Sequence, residues 1–474
     1  MRRQVRALVD IRRWSWETRV STAAVSALTL LVALWLYLGI PMLWLPALAA
    51  ASALTIFTLH QPVFGVLAVV AAQYLPIAVG QLTLFQLLGG MVTILCLIFY
   101  AVNRRGLVLS NMIPPILAFT LLALQSLSFT HDADLTQYLI RKLIFNALFC
   151  LLLVNVIDDL QKFRWLLWVV VGLGMINSLV ATVQFWLGHA RIEEFSGVFR
   201  AKGLLENENQ LGEITALCLM VPLQLFLAGD RRWKRGAGLL ICVLLSFGLV
   251  TSISRGAVLA VLAGLGYVAL RASHHRRRLL VFAVLVAAAF PFLPEAFFAR
   301  FRNLNQEMRG TVALSRRVGL TERGYFNKAG IRIWKAHPIL GVGLGNYGFY
   351  YILPEFNPGR RGSTKLPPHN LYVQALAETG IVGFLVLCWW IFLAGLNYWN
   401  AQRNWEGSRM DLAYIRACEA LTIVALVMYF SGGAIMYTNF AMVLTLSYVC
   451  RRCAGRVQAA AALPGPAPGT VVPA

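Results

Sequence analysis

The sequence predicts an all-α integral membrane protein with 12–14 transmembrane helices and one large loop that contains helices of its own. Three observations predict it. The 474 residues are 59% hydrophobic and only 13% charged, whereas an ordinary soluble chain carries about 25% charged residues. Mean hydropathy is +0.68. Apolar runs at 20–40, 81–102, 111–129 and 163–187 approach or exceed the ~20 residues a helix needs to cross ~30 Å of hydrocarbon. In lipid every backbone polar group must be bonded internally, so such spans are helices.

Taken in order, a basic, aromatic start at 1–19 (Arg2, Arg3, Arg6, Arg12, Arg13, Trp14, Trp16 and Arg19) reads as an anchor on anionic lipid at the cytoplasmic face. It shows no small-residue cleavage site, so no signal peptide is expected. Spans are expected at about 20–40, 41–60, 62–79, 82–103, 109–129, 139–157, 163–187, 209–228, 236–252, 256–271, 278–294, 381–398, 413–430 and 434–449. Basic linkers at 104–105, 162–164, 231–235, 271–278, 403–416 and 451–456 all fall on one side of this map, which the positive-inside rule makes cytoplasmic. The expected organisation is therefore a bundle over 20–294, an outer loop domain over 295–380, further spans over 381–453 and a disordered cytoplasmic tail over 454–474. The net charge of +22 records topology, and nucleic-acid binding is not expected.

The outer loop holds 12 Lys or Arg against five Glu and no Asp. A basic face just outside a bilayer suits an anionic headgroup or a phosphate. Cysteines lie in or beside apolar runs, apart from Cys450 and Cys453. That CxxC lacks the second ligand pair of a zinc site.

Four polar clusters map to the outer side. Arg200 and Lys202 with Gly203 could hold phosphate. Glu206, Asn207, Glu208 and Asn209 behind them could cap a helix or bind sugar hydroxyls. Ser254-Arg255-Gly256 sits between apolar runs, and an arginine there is a functional hypothesis by default. Its planar fork suits a bidentate phosphate contact. Arg323, Asn327 and Trp334 share helical spacing before His337-Pro338 and the run Gly341-Val-Gly343-Leu-Gly345. That run lacks the Lys-Ser/Thr of a nucleotide loop, so its glycines are read as permitting a tight turn close to lipid or partner helices. Last, Pro367-Pro368 introduces His369-Asn370-Leu-Tyr372-Val-Gln374, then Glu378-Thr-Gly380-Ile-Val-Gly383. This places His369 near a helix N-terminus, where the dipole favours anions and disfavours imidazolium. A neutral imidazole beside a bound pyrophosphate is a candidate general base. Asp132-Ala-Asp134 is read as an ordinary loop. No Gly-x-Ser-x-Gly, HExxH or Walker motif occurs, and the site is expected to use cations and a histidine with no metal or cofactor.

The order Arg323, Trp334, His337-Pro-Ile-Leu-Gly-Val-Gly-Leu-Gly-Asn, then Pro-His369-Asn-Leu-Tyr-Val-Gln through Gly380-Ile-Val-Gly383, resembles the O-antigen ligase and Wzy-type polymerase superfamily. Arg200, Gly203, Asn209 and Ser254-Arg255-Gly256 resemble its upstream motifs. The resemblance covers roughly 195–260 and 310–395. It implies a multi-span inner-membrane protein of a Gram-negative bacterium with its active site facing the periplasm. It also implies a metal-independent, inverting glycosyltransferase that uses an undecaprenyl-diphosphate-linked glycan as donor.

On this reading His369 is the catalytic base, and Arg255 and Arg323 bind the donor diphosphate with Arg200 and Lys202 assisting. Asn370, Tyr372, Gln374 and Asn209 orient substrate, and His337 is a secondary candidate that shapes its loop. The favoured acceptor is a lipid A–core sugar, as in an O-antigen ligase. Alternatives are a Wzy-type polymerase and a protein O-oligosaccharyltransferase. A lipid-linked glycan flippase or transporter is the rival from another class; it should show an internal repeat and polar residues deep in its spans.

Overall fold

The computed structural model describes residues 45–75, 77–79, 82–188, 191–192, 199–271, 276–289, 298, 319–358, 367–403, 405–432 and 438–461. The basic start at 1–19 and the expected span at 20–40 lie outside the described residues, as does 462–474.

The described chain is a succession of helices: α1 (Leu45–His60), α2 (Pro62–Ala72), α3 (Leu84–Val102), α4 (Ile113–Ser126), α5 (Ala133–Val156), α6 (Leu160–Trp186), α7 (Glu208–Ala228), α8 (Arg232–Ser252), α9 (Arg255–Arg271), α10 (Arg276–Ala289), α11 (Gly319–Ala336), α12 (Tyr347–Tyr351), α13 (Leu371–Gln402), α14 (Arg409–Met428) and α15 (Thr438–Ala461). Two short antiparallel pairings interrupt them: β1 (Ala78–Val79) with β2 (Leu82–Thr83), and β3 (Arg191–Ile192) with β4 (Phe199–Arg200). Six helices among the described residues, α3, α5, α6, α7, α8 and α13, are long and apolar enough to cross a membrane. The protein is an all-α integral membrane protein, and helices occupy the positions at which spans were expected from residue 41 onward.

Contacts divide the chain into two units, 1–108 and 109–474. In the first, α1, α2 and α3 pack on one another. Thr83 starts α3 with a capping box, its hydroxyl accepting from the Gln86 amide while the Gln86 side chain accepts from the Thr83 amide. That exchange satisfies two of the donors a helix start leaves open.

The second unit is built around α7. Almost every residue from Leu211 to Leu227 is buried, and α6, α8, α9 and α14 pack against it. Short polar side chains set the helix starts: Asp132 accepts from the Leu135 amide, Asp159 from Lys162, Asn207 from Gln210 and Ser408 from Asp411. Each cap satisfies a donor otherwise left open, an effect of about 1 kcal/mol. The expected loop Asp132-Ala-Asp134 is thus the start of α5.

Several boundaries differ from expectation: the span expected over 62–79 stops at Ala72, with 78–79 in β1, and the one expected from 139 begins at Ala133. Helix α13 begins at Leu371, within the segment expected as loop, and is bent at Gly380, whose backbone is non-helical (φ 62, ψ −162). The helix start beside His369 was expected; its continuity with the span expected over 381–398 was not, because Gln374, Glu378 and Thr379 interrupt the hydropathy before that span. Helix α15 continues past Cys453 to Ala461, into the segment expected to be disordered. Alanine, the best helix former, dominates that stretch, and Arg456 reaches Asp158 at 2.9 Å. All eight cysteines are free. The Cys450–Cys453 pair is buried, and burial pushes the Cys453 thiol up to about 12, as befits an inert core residue.

Candidate active site

The arginine side of the site begins at β4. Arg200 is 5% exposed. Its Nε donates to the Ser252 carbonyl at 3.0 Å, its Nη2 donates to Asn209 Oδ1 at 3.0 Å, and its Nη1 lies 3.9 Å from Glu208 Oε2. The Ala201 amide donates to the Thr251 carbonyl at 3.0 Å, so residues 200–201 lie along the end of α8. Gly203 turns away with φ +65, and a Cβ there would sit 2.8 Å from the Asn177 carbonyl. Only glycine takes that turn without strain. Gln184 bonds both the amide and the carbonyl of Gly203, at 3.0 and 2.8 Å. Lys202 between them is exposed.

Helix α8 ends at Ile253, which adopts the left-handed conformation (φ 46, ψ 39). For a β-branched residue this costs about 1–3 kcal/mol. The turn it makes places Arg255, half-buried, at the first position of α9. Residues 252–254 are buried, and the Ser252 hydroxyl accepts from the Ser254 amide at 3.3 Å. A Cβ on Gly256 would collide with the Ser431 hydroxyl, so the start of α9 lies directly against the turn that follows α14.

That turn also holds the histidine side. Its first residue, Tyr429, is fully buried, and its carbonyl accepts the Leu371 amide at 3.0 Å. Leu371 is the first residue of α13. Asn370 caps the helix, its Oδ1 accepting from the Tyr372 and Val373 amides at 3.0 and 3.2 Å. His369 precedes the cap, exposed, with φ 49. A non-glycine residue at positive φ is uncommon outside functional or strained turns. The His369 ring lies 5.6 Å from that of Phe326 on α11. Arg323 lies one turn before Phe326 on the same helix; its side chain is outside the described residues.

The glycine run has a different task. The Val342 and Gly343 amides donate to the Ala377 and Glu378 carbonyls at 3.0 and 2.9 Å, and the Ile381 amide donates to the Pro338 carbonyl at 2.9 Å. The loop thereby bonds backbone groups that the bend at Gly380 frees. Gly341, Gly343 and Gly345 have φ of 68, 89 and 88, so the run makes the close-fitting turn the sequence suggests. Its far side is fastened to the end of α4 and the link that leads into α5: the Leu344 amide donates to Ser126 Oγ at 3.0 Å, and Asn346 Oδ1 accepts from Thr130 Oγ1 and the His131 amide, both at 3.0 Å. Phe326, Ala329, Ile333, Val342, Tyr347, Tyr351, Phe356 and Ala377 form the buried core of this module.

The other expected substrate-orienting residues are mostly occupied within the fold. Tyr372 donates its hydroxyl to the Leu426 carbonyl at 2.7 Å and sets its ring 4.3 Å from Phe430. Gln374 donates to Glu378 at 2.9 Å, while its Oε1 is buried without a hydrogen-bond partner. Asn209 holds Arg200. His337 terminates α11, its carbonyl accepting the Gly341 amide at 3.1 Å and its ring lying 5.5 Å from Tyr350. The turn 429–431 thus meets Gly256, next to Arg255, and Leu371, two residues after His369, while Arg200 and Asn209 sit together against Ser252, three residues before Arg255. Sequence reasoning missed Tyr429 and also Glu213, a buried carboxylate on α7 that accepts from the Tyr429 hydroxyl at 2.8 Å. The signal for Glu213 was available: an acidic residue inside an apolar span.

Comparison with known proteins bears on this geometry. Residues 240–388 match the O-Antigen ligase family model, Wzy_C. The matched stretch contains Arg255, Arg323, His337 and His369. The chain is 27% identical over 235 residues to the exopolysaccharide production protein ExoQ of Rhizobium meliloti (strain 1021), covering 45% of this chain and 51% of ExoQ. It therefore spans about half the length of that curated relative. A chain in a solved structure described as "Structural coordination of polymerization and crosslinking by a peptidoglycan synthase complex" aligns over 73% of this chain and 98% of its own length. Its TM-score is 0.41 and its identity 15%. The family match and the likeness to ExoQ support placing the chain in the O-antigen ligase and Wzy-type polymerase superfamily.

Proposed function

We propose that the protein transfers a glycan from undecaprenyl diphosphate to a sugar hydroxyl of lipid A–core at the periplasmic face of the inner membrane. It acts as a metal-independent, inverting O-antigen ligase. The observation that carries this reading is the shared turn at 429–431: Gly256, next to Arg255, packs on Ser431, and Leu371, two residues after His369, bonds Tyr429.

In the proposed reaction the acceptor hydroxyl attacks the anomeric carbon from the face opposite the diphosphate. The new glycosidic bond forms as the bond from carbon to diphosphate oxygen breaks, and undecaprenyl diphosphate leaves with that electron pair. His369 takes the acceptor proton, and its exposure before a helix cap leaves the ring accessible to it. Arg255 and Arg323 meet the charge that develops on the leaving group. Arg255 stands at the start of α9, where open amides add to its pull on an anion. Lys202, exposed beside the arginine side, assists. Arg200, turned into the protein, supports the turn that presents Arg255.

A second reading, a Wzy-type polymerase that extends one glycan repeat with another, is favoured by the ExoQ likeness, since that relative is described as an exopolysaccharide production protein. The deciding experiment gives purified protein an undecaprenyl-diphosphate-linked glycan with lipid A–core, a glycan repeat and a serine-containing protein offered in parallel. Transfer to lipid A–core alone supports the ligase. Transfer to the glycan repeat alone makes the protein a polymerase, and no transfer to any of them removes the transferase reading.

A further inference from the structure

Tyr429 joins three elements. Its carbonyl accepts the Leu371 amide at 3.0 Å, its ring meets Phe440 edge-on at 5.3 Å, and its hydroxyl donates to Glu213 Oε1 at 2.8 Å. The same Glu213 oxygen accepts from Asn439 Nδ2 at 3.2 Å. Glu213 is only 8% exposed and stands on α7, the most enclosed helix of its unit. A carboxylate deep among apolar side chains is costly unless its partners repay it. The two donors here come from the end of α14 and the start of α15.

We infer that Glu213 is a positioning residue for glycan transfer, fixing Tyr429 so that the turn at 429–431 holds the His369 segment and the start of α9 at a set separation. The inference rests on the transferase reading above and deepens it. The pathway is short. Glu213 orients the Tyr429 ring and with it the carbonyl that anchors Leu371. Ser431, two residues on, is the surface against which Gly256 packs. Loosening the turn lets the base and the diphosphate-binding arginine drift apart, and a misplacement of about 1 Å between reacting groups costs about 100-fold in rate. Glutamine keeps the acceptor oxygen for both donors, whereas alanine removes it.

The test compares the parent with Tyr429→Phe, Glu213→Ala and Glu213→Gln in lipid nanodiscs, reading donor KM, kcat and hydrogen exchange of the peptide around 369–373. Tyr429→Phe keeps the ring packed on Phe440, so it carries the test if Glu213→Ala does not fold. The expected result is a kcat lowered about 10–100-fold in Tyr429→Phe and Glu213→Ala with donor KM within about twofold. Exchange around 369–373 should be faster, and Glu213→Gln should recover most of kcat. Parental kcat in folded Tyr429→Phe, or unchanged exchange in that peptide, overturns the inference. Faster exchange with no transfer by the parent itself would instead remove the transferase reading and leave the tie between Glu213 and the His369 segment standing.

Discussion

Buried hydrogen bonds hold Arg200 on the arginine side of the candidate site, whereas His369 on the histidine side stands exposed just before a helix cap. Arg200 is almost fully enclosed and bonded to the Ser252 carbonyl and Asn209. His369 is exposed, in a left-handed conformation, with Asn370 and Tyr429 fixing the residues beside it. The contrast fits the two tasks. A proposed diphosphate site gains from pre-organisation, and the bonded Arg200 steadies the turn that presents Arg255. A base must reach a substrate hydroxyl that arrives and departs, so it belongs at an accessible edge.

Replacing the exposed member should break activity without breaking the fold. His369→Ala is expected to lower transfer about 10²–10⁴-fold with thermal stability unchanged, measured as turnover by folded protein. Near-parental turnover would remove the histidine from the chemistry. Gly380→Ala attacks the other support of that side. The new Cβ would collide with the Ile339 carbonyl at a backbone φ of 62. The expected outcome is a loss of about 1–3 kcal/mol from the strained conformation alone, read as a lower melting temperature and looser docking of the 338–345 loop.

The arginine side should respond in graded fashion. Arg255→Ala is expected to weaken donor binding, and Arg255→Lys to restore only part of it, because a point charge cannot reproduce a bidentate fork. Donor titration checks this, and full recovery with lysine at both 255 and 323 would argue against the fork. Arg200→Ala should cost about 1–3 kcal/mol by leaving buried partners unsatisfied, with a smaller effect on donor binding than Arg255→Ala. An equal effect would show that Arg200 touches substrate.

The smallest effect is expected far from the site, between α5 and α6. Burial alone would raise the Asp158 carboxyl, but Lys162, Arg456 and Arg452 outweigh it and hold it below the usual carboxylate range. Its folded-state affinity for protons is thus lower than in the unfolded chain. The stability it adds is present above the ordinary carboxylate pKa and is lost as pH falls through the depressed one. Melting curves of Asp158→Asn should therefore lie below the parent at neutral pH and converge with it in acid.

Much of this architecture was legible beforehand, for reasons that differ by region. Apolar runs mark the helices because lipid demands them. The placement of His369 beside a helix start followed from the two prolines before it and is seen in the Asn370 cap. The glycine run was read as a tight turn because it lacks the residues of a phosphate loop, with lipid or partner helices left open as its neighbour; its amides bond α13. The bond between Glu213 and Tyr429 was not legible. The two residues stand 216 positions apart, and an apolar helix does not reveal which neighbour it faces when nearly all its sides are buried, as in α7. The commitment of Tyr372 to the Leu426 carbonyl was hidden likewise, since a tyrosine near a site reads equally well as a sugar contact.

The most direct test of the central claim is single-turnover transfer from undecaprenyl-diphosphate-linked glycan by purified parent, His369→Ala and Arg255→Ala proteins with donor at saturation. Inverted glycosidic product from the parent is predicted. His369→Ala should be slow even at saturating donor, and Arg255→Ala should need far more donor to approach the parental rate. Product formation at the parental rate by both variants, each correctly folded, would contradict the assignment of this turn as the catalytic centre.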